Sequence, residues 1–340
     1  MMIVHEPETA LSAPPVEVVS GTAFAALLAL ARAAARPRAD VPGELRVPLE
    51  RAGDSVGELW LNLLGVPLDA GPPYSVERLV STLATIDPVE LRRHLLGRYA
   101  WTWCTLAGVD VIDAAAAGDS TAFPRLSEHP RYYGGRAAES LSTLLPLDPE
   151  ETRRRIAEAV EVAVRTLVEP MRGAAGTLES AARAATALVA TRRPLDAIER
   201  LTGGYRYVPE PEADRVTLVP HLERTPRLVL AQHRGARVIS YSVAVEDRTE
   251  ERVVALGKAL ADAKRIEILA LLARGHGQVP ELVEATGLSR STVHHHLAHL
   301  REVGLVVFEG NARAYTYRPR WEGLDETASL LAELIGSRPA

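Results

Sequence analysis

Apolar residues recur at helical spacing through most of the first two hundred positions of this 340-residue chain. Such spacing places apolar side chains on one face of each helix, so that the helices can pack around a shared core. Helix starts support the pattern, because Ser20 can cap the first segment and Asp148 precedes Pro149 and two acidic residues. The pattern predicts helices at residues 22–35, 50–64, 76–86, 88–106, 136–144, 150–168, 176–191 and 194–201.

The pattern changes after Gly203 and Gly204. Residues 216–219, 227–232 and 237–243 form short, β-branched segments that are separated by turn residues. They predict a small antiparallel sheet that closes a helical N-terminal domain. A polar segment follows and suggests a linker, so we divide the chain into domains at 1–246 and 247–340. The expected fold class is mostly α (α+β).

Helical spacing then returns at residues 252–273, divisible near 261–263, and at residues 278–284. Gly287 suits the left-handed position of a tight turn. Ser289 is a good N-cap for a further helix that runs to Val303 before Gly304. Two short helices joined by a turn that contains glycine predict a helix-turn-helix.

A strand follows that helix, then the turn pair Gly310-Asn311, then a strand in which Arg313, Tyr315 and Tyr317 alternate with other residues. This arrangement predicts a β-hairpin, or wing, that follows the helix-turn-helix. We expect Tyr315 and Tyr317 to pack inward and Arg313 to contact phosphate.

The sequences LSRSTVHHHLAHLREVGLV and EGNARAYTY resemble the ArsR-type winged helix-turn-helix repressors. The resemblance covers about a fifth of the chain. It implies that the helix after Ser289 reads double-stranded DNA and that the outer helices pair two subunits into a homodimer. The apolar stripes that would pair them are Val253, Val254, Leu256 and Leu260, and Leu330, Leu331, Leu334 and Ile335. The preceding 250 residues resemble the long N-terminal extension of some actinobacterial-type regulators, a likeness that carries no chemistry.

Four of the ten histidines lie within residues 294–299 and suggest a metal site at first sight. Consecutive helical residues point about 100° apart, so three histidines in a row cannot share one ion. Only His295 and His299 could form a two-ligand clamp, whereas His296 faces the buried side as a hydrogen-bonded residue. We predict DNA contact for the exposed pair over a solvated surface or a metal. The predicted DNA-binding residues are Ser289, Arg290, Ser291, Thr292, His294, His295, His299, Arg301 and Arg313.

The metal positions that the resemblance implies are empty in this chain. Metal-sensing members carry either a Cys-x-Cys pair on the helix before the turn or metal ligands on the last helix. In this chain the first position is Pro280–Glu284, which contains no cysteine, and the last helix contains no histidine. Cys104 is the sole cysteine. We therefore expect no metal, no cofactor and a signal that is not a metal.

Charge and length restrict the function further. The chain has a net charge of -5, yet residues 251–320 sum to +3, which places a weakly basic block where an anionic partner would bind. The first residues lack a signal peptide and the apolar run at 22–31 is too short to span a bilayer, so we expect a cytoplasmic protein without membrane contact.

Two further features of the sequence bear on an enzymatic or ligand-binding role. Ser55 lies in a Gly-x-Ser-x-Gly pattern, but no strand precedes it as a nucleophile elbow requires, so we predict no catalytic residue and no enzyme.

Aromatic residues concentrate in one quarter of the chain, either as ordinary core or as an effector pocket. The candidate pocket residues are Tyr99, Trp101, Trp103, Tyr132 and Tyr133. The expected function is a repressor relieved by a small-molecule signal; the alternative is an enzyme or small-molecule-handling domain fused to a DNA-binding domain.

Overall fold

The computed structural model describes residues 12–35, 38–53, 57–135, 138–168, 174–223, 228–243, 249–311 and 315–336. Helices dominate the first two hundred residues, as the spacing predicts. They are α1 Thr22–Ala34, α2 Gly43–Arg51, α3 Gly57–Leu61, α4 Gly65–Ala70, α5 Val76–Thr85, α6 Pro88–Leu95, α7 Trp101–Ala107, α8 Val109–Ala117, α9 Phe123–Ser127, α10 Ala138–Leu144, α11 Pro149–Ala163, α12 Ala174–Thr191 and α13 Pro194–Leu201.

Helix α1 lies at the centre of the helical part and packs against α3, α5 and α11. Phe24, Leu27 and Leu30 on α1 are fully buried, because this helix is apolar around most of its circumference. The start of α11 confirms the predicted signal, since the Asp148 side chain accepts a hydrogen bond from the backbone N–H of Glu150.

Two predicted helices are broken in the structure. Residues 50–64 divide between α2 and α3, and residues 88–106 divide between α6 and α7. The second break lies at Gly97, whose φ of 73° is unfavourable for other residues. A Cβ atom at Gly97 would lie 2.4 Å from the Trp103 ring, so close packing also requires glycine there.

A four-stranded sheet packs beside the helices in the order β1-β3-β5-β4. Its strands are β1 Val16–Val18, β3 Arg215–His221, β4 Leu228–His233 and β5 Ala236–Ser242. The prediction of an antiparallel sheet is wrong for most of it, because β1–β3 and β3–β5 are parallel and only β4–β5 is antiparallel. The β4–β5 hairpin inserts β5 next to β3, a pairing that the sequence pattern does not determine.

The C-terminal elements confirm the predicted helix-turn-helix and hairpin. They are α14 Thr249–Leu260, α15 Ala263–Ala273, α16 Val279–Thr286, α17 Arg290–Glu302, β6 Val306–Gly310, β7 Tyr315–Pro319 and α18 Trp321–Ile335. Leu282, Val293 and Leu297 are fully buried and form their core together with residues of α15 and the hairpin. The fold is mostly α with small sheets.

A second sheet joins the two parts of the chain. Strand β2 (Arg206–Tyr207) pairs in parallel with β6, which gives the order β2-β6-β7. Phe308 of β6 packs into a cluster that includes Tyr205 and Tyr207. The proposed domain boundary at 246 and 247 lies outside the described residues, and the second sheet connects elements on both sides of it. None of the described helices is long and apolar enough to cross a membrane.

Candidate nucleic-acid interface

The turn between α16 and α17 is built from local signals. Gly287 adopts the left-handed conformation, with φ 67° and ψ 13°, and its N–H donates to the carbonyl oxygen of Val283. The Ser289 hydroxyl then caps α17 by accepting a hydrogen bond of 3.2 Å from the N–H of Thr292. Both features confirm the sequence prediction. They fix the angle at which the N-terminal end of α17 leaves the core.

Helix α17 has one buried face and one exposed face. Val293, Leu297 and Leu300 are fully buried, as the spacing predicted. On the other side Arg290, Ser291 and His295 are exposed, while Thr292, His294 and His299 are partly exposed. The predicted contact residues from Arg290 to His299 are therefore at least partly exposed, most of them in the N-terminal half of the helix. Their contact with DNA stays a prediction.

The four histidines fan around the helix as expected. His295 and His299 meet edge to face, with ring centroids 4.5 Å apart. His296 is buried, which confirms its predicted side. Its Nδ1 atom makes no hydrogen bond within the described residues, since the Asp262 carboxylate is 3.9 Å away, so the predicted hydrogen bond is not made at this nitrogen. Burial lowers the pKa of His296, although Asp262 opposes the shift, and burial also lowers the pKa of His294.

The directions of these pKa shifts determine the charge of two of the imidazoles. His294 and His296 are mainly neutral at pH 7, because a lowered pKa falls further below that pH. A neutral imidazole has one donor and one acceptor nitrogen and can bond to a base edge without adding charge. Arg290 is the permanent cation of the exposed face.

The hairpin is held against the helix-turn-helix by a third short segment. The N–H of Tyr317 donates to the carbonyl oxygen of Gly277 at 2.7 Å. A Cβ atom at Gly277 would lie 2.8 Å from the Tyr317 carbonyl oxygen, so this approach requires glycine. Tyr317 is buried as predicted, but Tyr315 is 46% exposed, so the prediction that it packs inward is wrong. Tyr315 lies at the end of the hairpin, where the core no longer reaches it.

Two predicted contact residues differ from the rest. Arg313 lies outside the described residues. Arg301 lies in the last turn of α17, with its guanidinium 4.8 Å from the ring centroid of Phe308. Stacking on an aromatic ring orients Arg301 toward the hairpin and the first part of the chain, away from the N-terminal end of the helix.

Three of the predicted pocket aromatics pack against one another. The ring centroid of Tyr133 lies 4.3 Å from that of Trp103 and 4.7 Å from that of Tyr132. Tyr132 and Tyr133 are buried in the main hydrophobic core. The other two stand apart, with arginines over their rings: Arg234 at 3.7 Å from Tyr99 and Arg237 at 4.9 Å from Trp101. An effector pocket formed by these five residues remains a prediction.

The structure also assembles a polar cluster that sequence spacing did not reveal. Asp69, Glu90 and His94 place ligand atoms within 4.8 Å of one another, the kind of group that could hold a metal. His233 lies 2.7 Å from Asp69, and the Nε of Arg234 donates to both Asp69 oxygens at 3.0 and 3.1 Å. A guanidinium thus already occupies the position of a cation beside this carboxylate.

Opposing effects act on the Asp69 carboxyl. Burial alone would raise its pKa, but hydrogen bonds from His233, His94 and Arg234 outweigh burial and hold the pKa well below its usual range. The carboxylate therefore stays charged and bound. The cluster fastens the β4–β5 turn to α4 and α6.

This fold defines a class, the winged helix-turn-helix: a capped second helix with an exposed face, followed by an antiparallel hairpin. Residues 262–307 match the family model described as "Bacterial regulatory protein, arsR family". The chain belongs to the arsR family.

Three similar proteins are each named as an HTH-type transcriptional regulator. NmtR of Mycobacterium tuberculosis is 36% identical over 76 residues, which cover 22% of this chain and 63% of that protein. YgaV of Escherichia coli is 34% identical over 82 residues, which cover 24% of this chain and 83% of that protein. CmtR of Mycobacterium tuberculosis is 41% identical over 68 residues, covering 20% and 58%. The chain thus spans less than two thirds of NmtR and CmtR. No solved structure matches it significantly.

Proposed function

We propose that this chain is a sequence-specific, double-stranded DNA-binding transcriptional regulator that acts as a homodimeric repressor. The observation that carries the proposal is helix α17, which is capped by Ser289, anchored by three buried residues along one face and exposed on its other face. A helix held in this way can enter the major groove of DNA. The names of the three relatives support the same role.

Roles follow from position on the helix. Arg290 suits a bidentate contact to guanine, and Ser291, Thr292, His294 and His295 can bond to base edges or phosphates. Ser289 caps the helix and can reach phosphate through the same end. His299 lies further along, where a contact to the backbone of DNA is more accessible than one to a base.

A homodimer would place two recognition helices on two half-sites about one DNA turn apart. Helices α14 and α18 pack against each other, and each presents an exposed apolar residue, Val254 at 54% and Leu331 at 40%. Exposed apolar residues on adjacent helices suit a subunit interface. Leu334 and Ile335, which the sequence prediction included in that stripe, have side chains outside the described set.

The signal is assigned to the first part of the chain and is not a metal. Support comes from the residues Pro280–Glu284, which include no cysteine, and from the Asp69 cluster, where Arg234 already binds the carboxylates. Ser55, the residue of the Gly-x-Ser-x-Gly pattern, lies outside the described residues.

The test is selection of duplexes from a random pool by the full chain, followed by binding to the selected and a scrambled duplex at several salt concentrations. We expect an enriched palindrome with half-sites about 10 base pairs apart and a preference of at least about 10³-fold at physiological salt. Equal affinity for both duplexes would reduce the protein to a nonspecific binder and refute sequence-specific regulation.

A further inference from the structure

A cavity of about 580 Å³ separates the last turns of α17 from the first part of the chain. Ala298 and Arg301 line it from the recognition helix, and Phe308 lines it from the hairpin. Arg32 of α1 and Tyr205, which precedes β2, line the opposite side. Its volume is within the range of sites that bind small molecules, about 300–1,000 Å³.

The charges around this cavity do not balance. Four arginines line it against two glutamates: Arg32, Arg252, Arg301 and Arg320 against Glu302 and Glu326. Arg252 and Arg320 both pair with Glu326, each at 2.8 Å. Arg32 pairs with Glu223.

Arg301 is the cation whose charge is not matched. Among the residues that the structure describes, no carboxylate lies within ion-pair distance of its guanidinium, which instead stacks on Phe308. The half-buried position removes part of its hydration, and a desolvated guanidinium gains strongly from an anionic oxygen pair. Glu302, the carboxylate of α17 on this wall, lies 3.5 Å from His299.

Apolar surface completes the site. Val306, Val307 and Leu228 line the cavity together with the rings of Phe308 and Tyr205. An apolar wall with a few converging charged groups is the usual composition of a small-molecule site, in which the wall provides affinity and the charges orient the ligand.

We propose that this cavity binds a small organic anion with an apolar, ring-containing body, its carboxylate, sulfonate or phosphate facing Arg301. The ligand would touch the recognition helix on one side and α1 on the other. It would therefore favour the conformation in which these two helices both line the cavity. The site itself does not depend on DNA binding, whereas use of the ligand as a regulatory signal rests on the proposed function.

The experiment titrates the full chain with two fluorescent dyes that differ in charge. The first is the naphthalene sulfonate dye ANS, and the second is phenyl naphthylamine, which has the same rings without the sulfonate. We expect saturable ANS binding, one dye per chain, at least about tenfold tighter than binding of the neutral dye, which is the gain expected from a charge-assisted hydrogen bond.

Two variants test the site in independent ways. Arg301→Gln removes the charge, and Ala298→Phe fills the space without changing charge. Each should weaken ANS binding about tenfold or more. Arg183→Gln is the matched control, because it removes a surface arginine whose side chain is 72% exposed and lies outside the cavity lining. This control should leave ANS binding unchanged.

Three outcomes would overturn the site: no saturable ANS binding, equal binding of the two dyes, or unchanged ANS affinity in both cavity variants. Binding of the selected duplex is measured separately without dye. Loss of specific duplex binding in the wild type would refute the proposed function and not the cavity, whereas a normal duplex affinity beside absent dye binding would refute the cavity alone.

Discussion

The hydroxyl of Tyr205 donates a hydrogen bond of 2.9 Å to the carbonyl oxygen of Gly310, the last residue of β6. The two residues are 105 positions apart and belong to the two parts of the chain. Burial raises the pKa of the Tyr205 phenol, so the hydroxyl keeps its proton and remains a donor. Its ring centroid lies 4.7 Å from that of Phe308, and Val208 N–H donates to the same Gly310 oxygen at 3.2 Å.

Tyr205→Phe tests this connection, because it keeps the ring and removes the donor. We expect a loss of about 1–2 kcal/mol in the free energy of unfolding, the cost of one buried hydrogen bond, and faster hydrogen exchange of the β6 amides. Denaturant unfolding and hydrogen-exchange mass spectrometry measure both. Tyr74→Phe is the matched control and should leave β6 exchange unchanged; equal β6 protection in Tyr205→Phe and the wild type would show that the hydroxyl does not hold the hairpin.

Arg290→Ala and His295→Ala test the exposed face of α17. Each should cost about 1–3 kcal/mol of binding to the selected duplex if it makes a good base contact, with a smaller loss on a scrambled duplex. Fluorescence anisotropy titrations measure the two affinities, and circular dichroism confirms folding. Arg183→Ala, which removes an exposed arginine from α12, should bind like the wild type. Unchanged specific affinity in both variants would remove α17 from the proposed interface.

Leu331→Glu tests the homodimer. We expect the wild type to be a dimer at micromolar concentration, and the variant to be a monomer, because a charge in an apolar interface leaves an unpaired, desolvated carboxylate. Sedimentation velocity measures the mass. Val47→Glu alters a residue of α2 that is 52% exposed, similar to Leu331, and should remain dimeric. A monomeric wild type would end this proposal.

Local signals account for what the sequence predicted well. The turn at Gly287, the cap at Ser289 and the buried stripe of α17 depend on residues within one or two helical turns of each other, so spacing and residue type are sufficient. The exposed face of that helix follows from the same spacing. The exposure of the candidate residues of α17 could therefore be predicted from the sequence, while their contact with DNA stays a prediction.

Contacts between distant segments explain what the sequence did not predict. Strand β2 is two residues long and pairs with β6 a hundred positions later, and β1 pairs with β3 two hundred positions later. Both strands are too short for an alternation of apolar and polar residues to be recognised in the sequence. The cavity shares this origin, since Arg32 and Arg301 come to line one cavity only through the tertiary fold.

The buried imidazole of His221 should make the free energy of unfolding depend on pH. Burial lowers the pKa of His221 to about 4 from the ordinary 6.5, so the folded chain keeps this imidazole neutral while the unfolded chain binds a proton below pH 6.5. The contribution to stability is complete above pH 6.5 and is lost as the pH falls toward 4, on the order of 3 kcal/mol in total. Burial also lowers the pKa of His233, which acts in the same direction.

His221→Phe should therefore flatten the pH dependence. Urea unfolding at pH 7.5 and pH 5 should show a smaller loss of stability in this variant than in the wild type. His276→Phe, at an exposed position, is the matched control and should retain the wild-type dependence. Identical losses in His221→Phe and the wild type would show that this imidazole does not govern the acid sensitivity.

The final prediction is that no metal releases the protein from DNA. The described residues closest to a metal site are Asp69, Glu90 and His94, but Asp69 accepts hydrogen bonds from His233 and Arg234, and Arg234 also reaches Glu90 at 3.3 Å. An ion would have to displace a guanidinium that is bound to both carboxylates, which costs more than filling an empty site.

Zinc, nickel, copper and cobalt are titrated separately into the complex of the chelator-treated protein with the selected duplex. We expect the affinity for DNA to stay within about twofold at one equivalent of each metal. A metal could change this affinity only if it bound the free protein and the DNA-bound protein with different affinities. His94→Ala provides the comparison. Release of DNA by a stoichiometric metal in the wild type, abolished in His94→Ala, would assign the signal to this cluster and overturn the non-metal proposal.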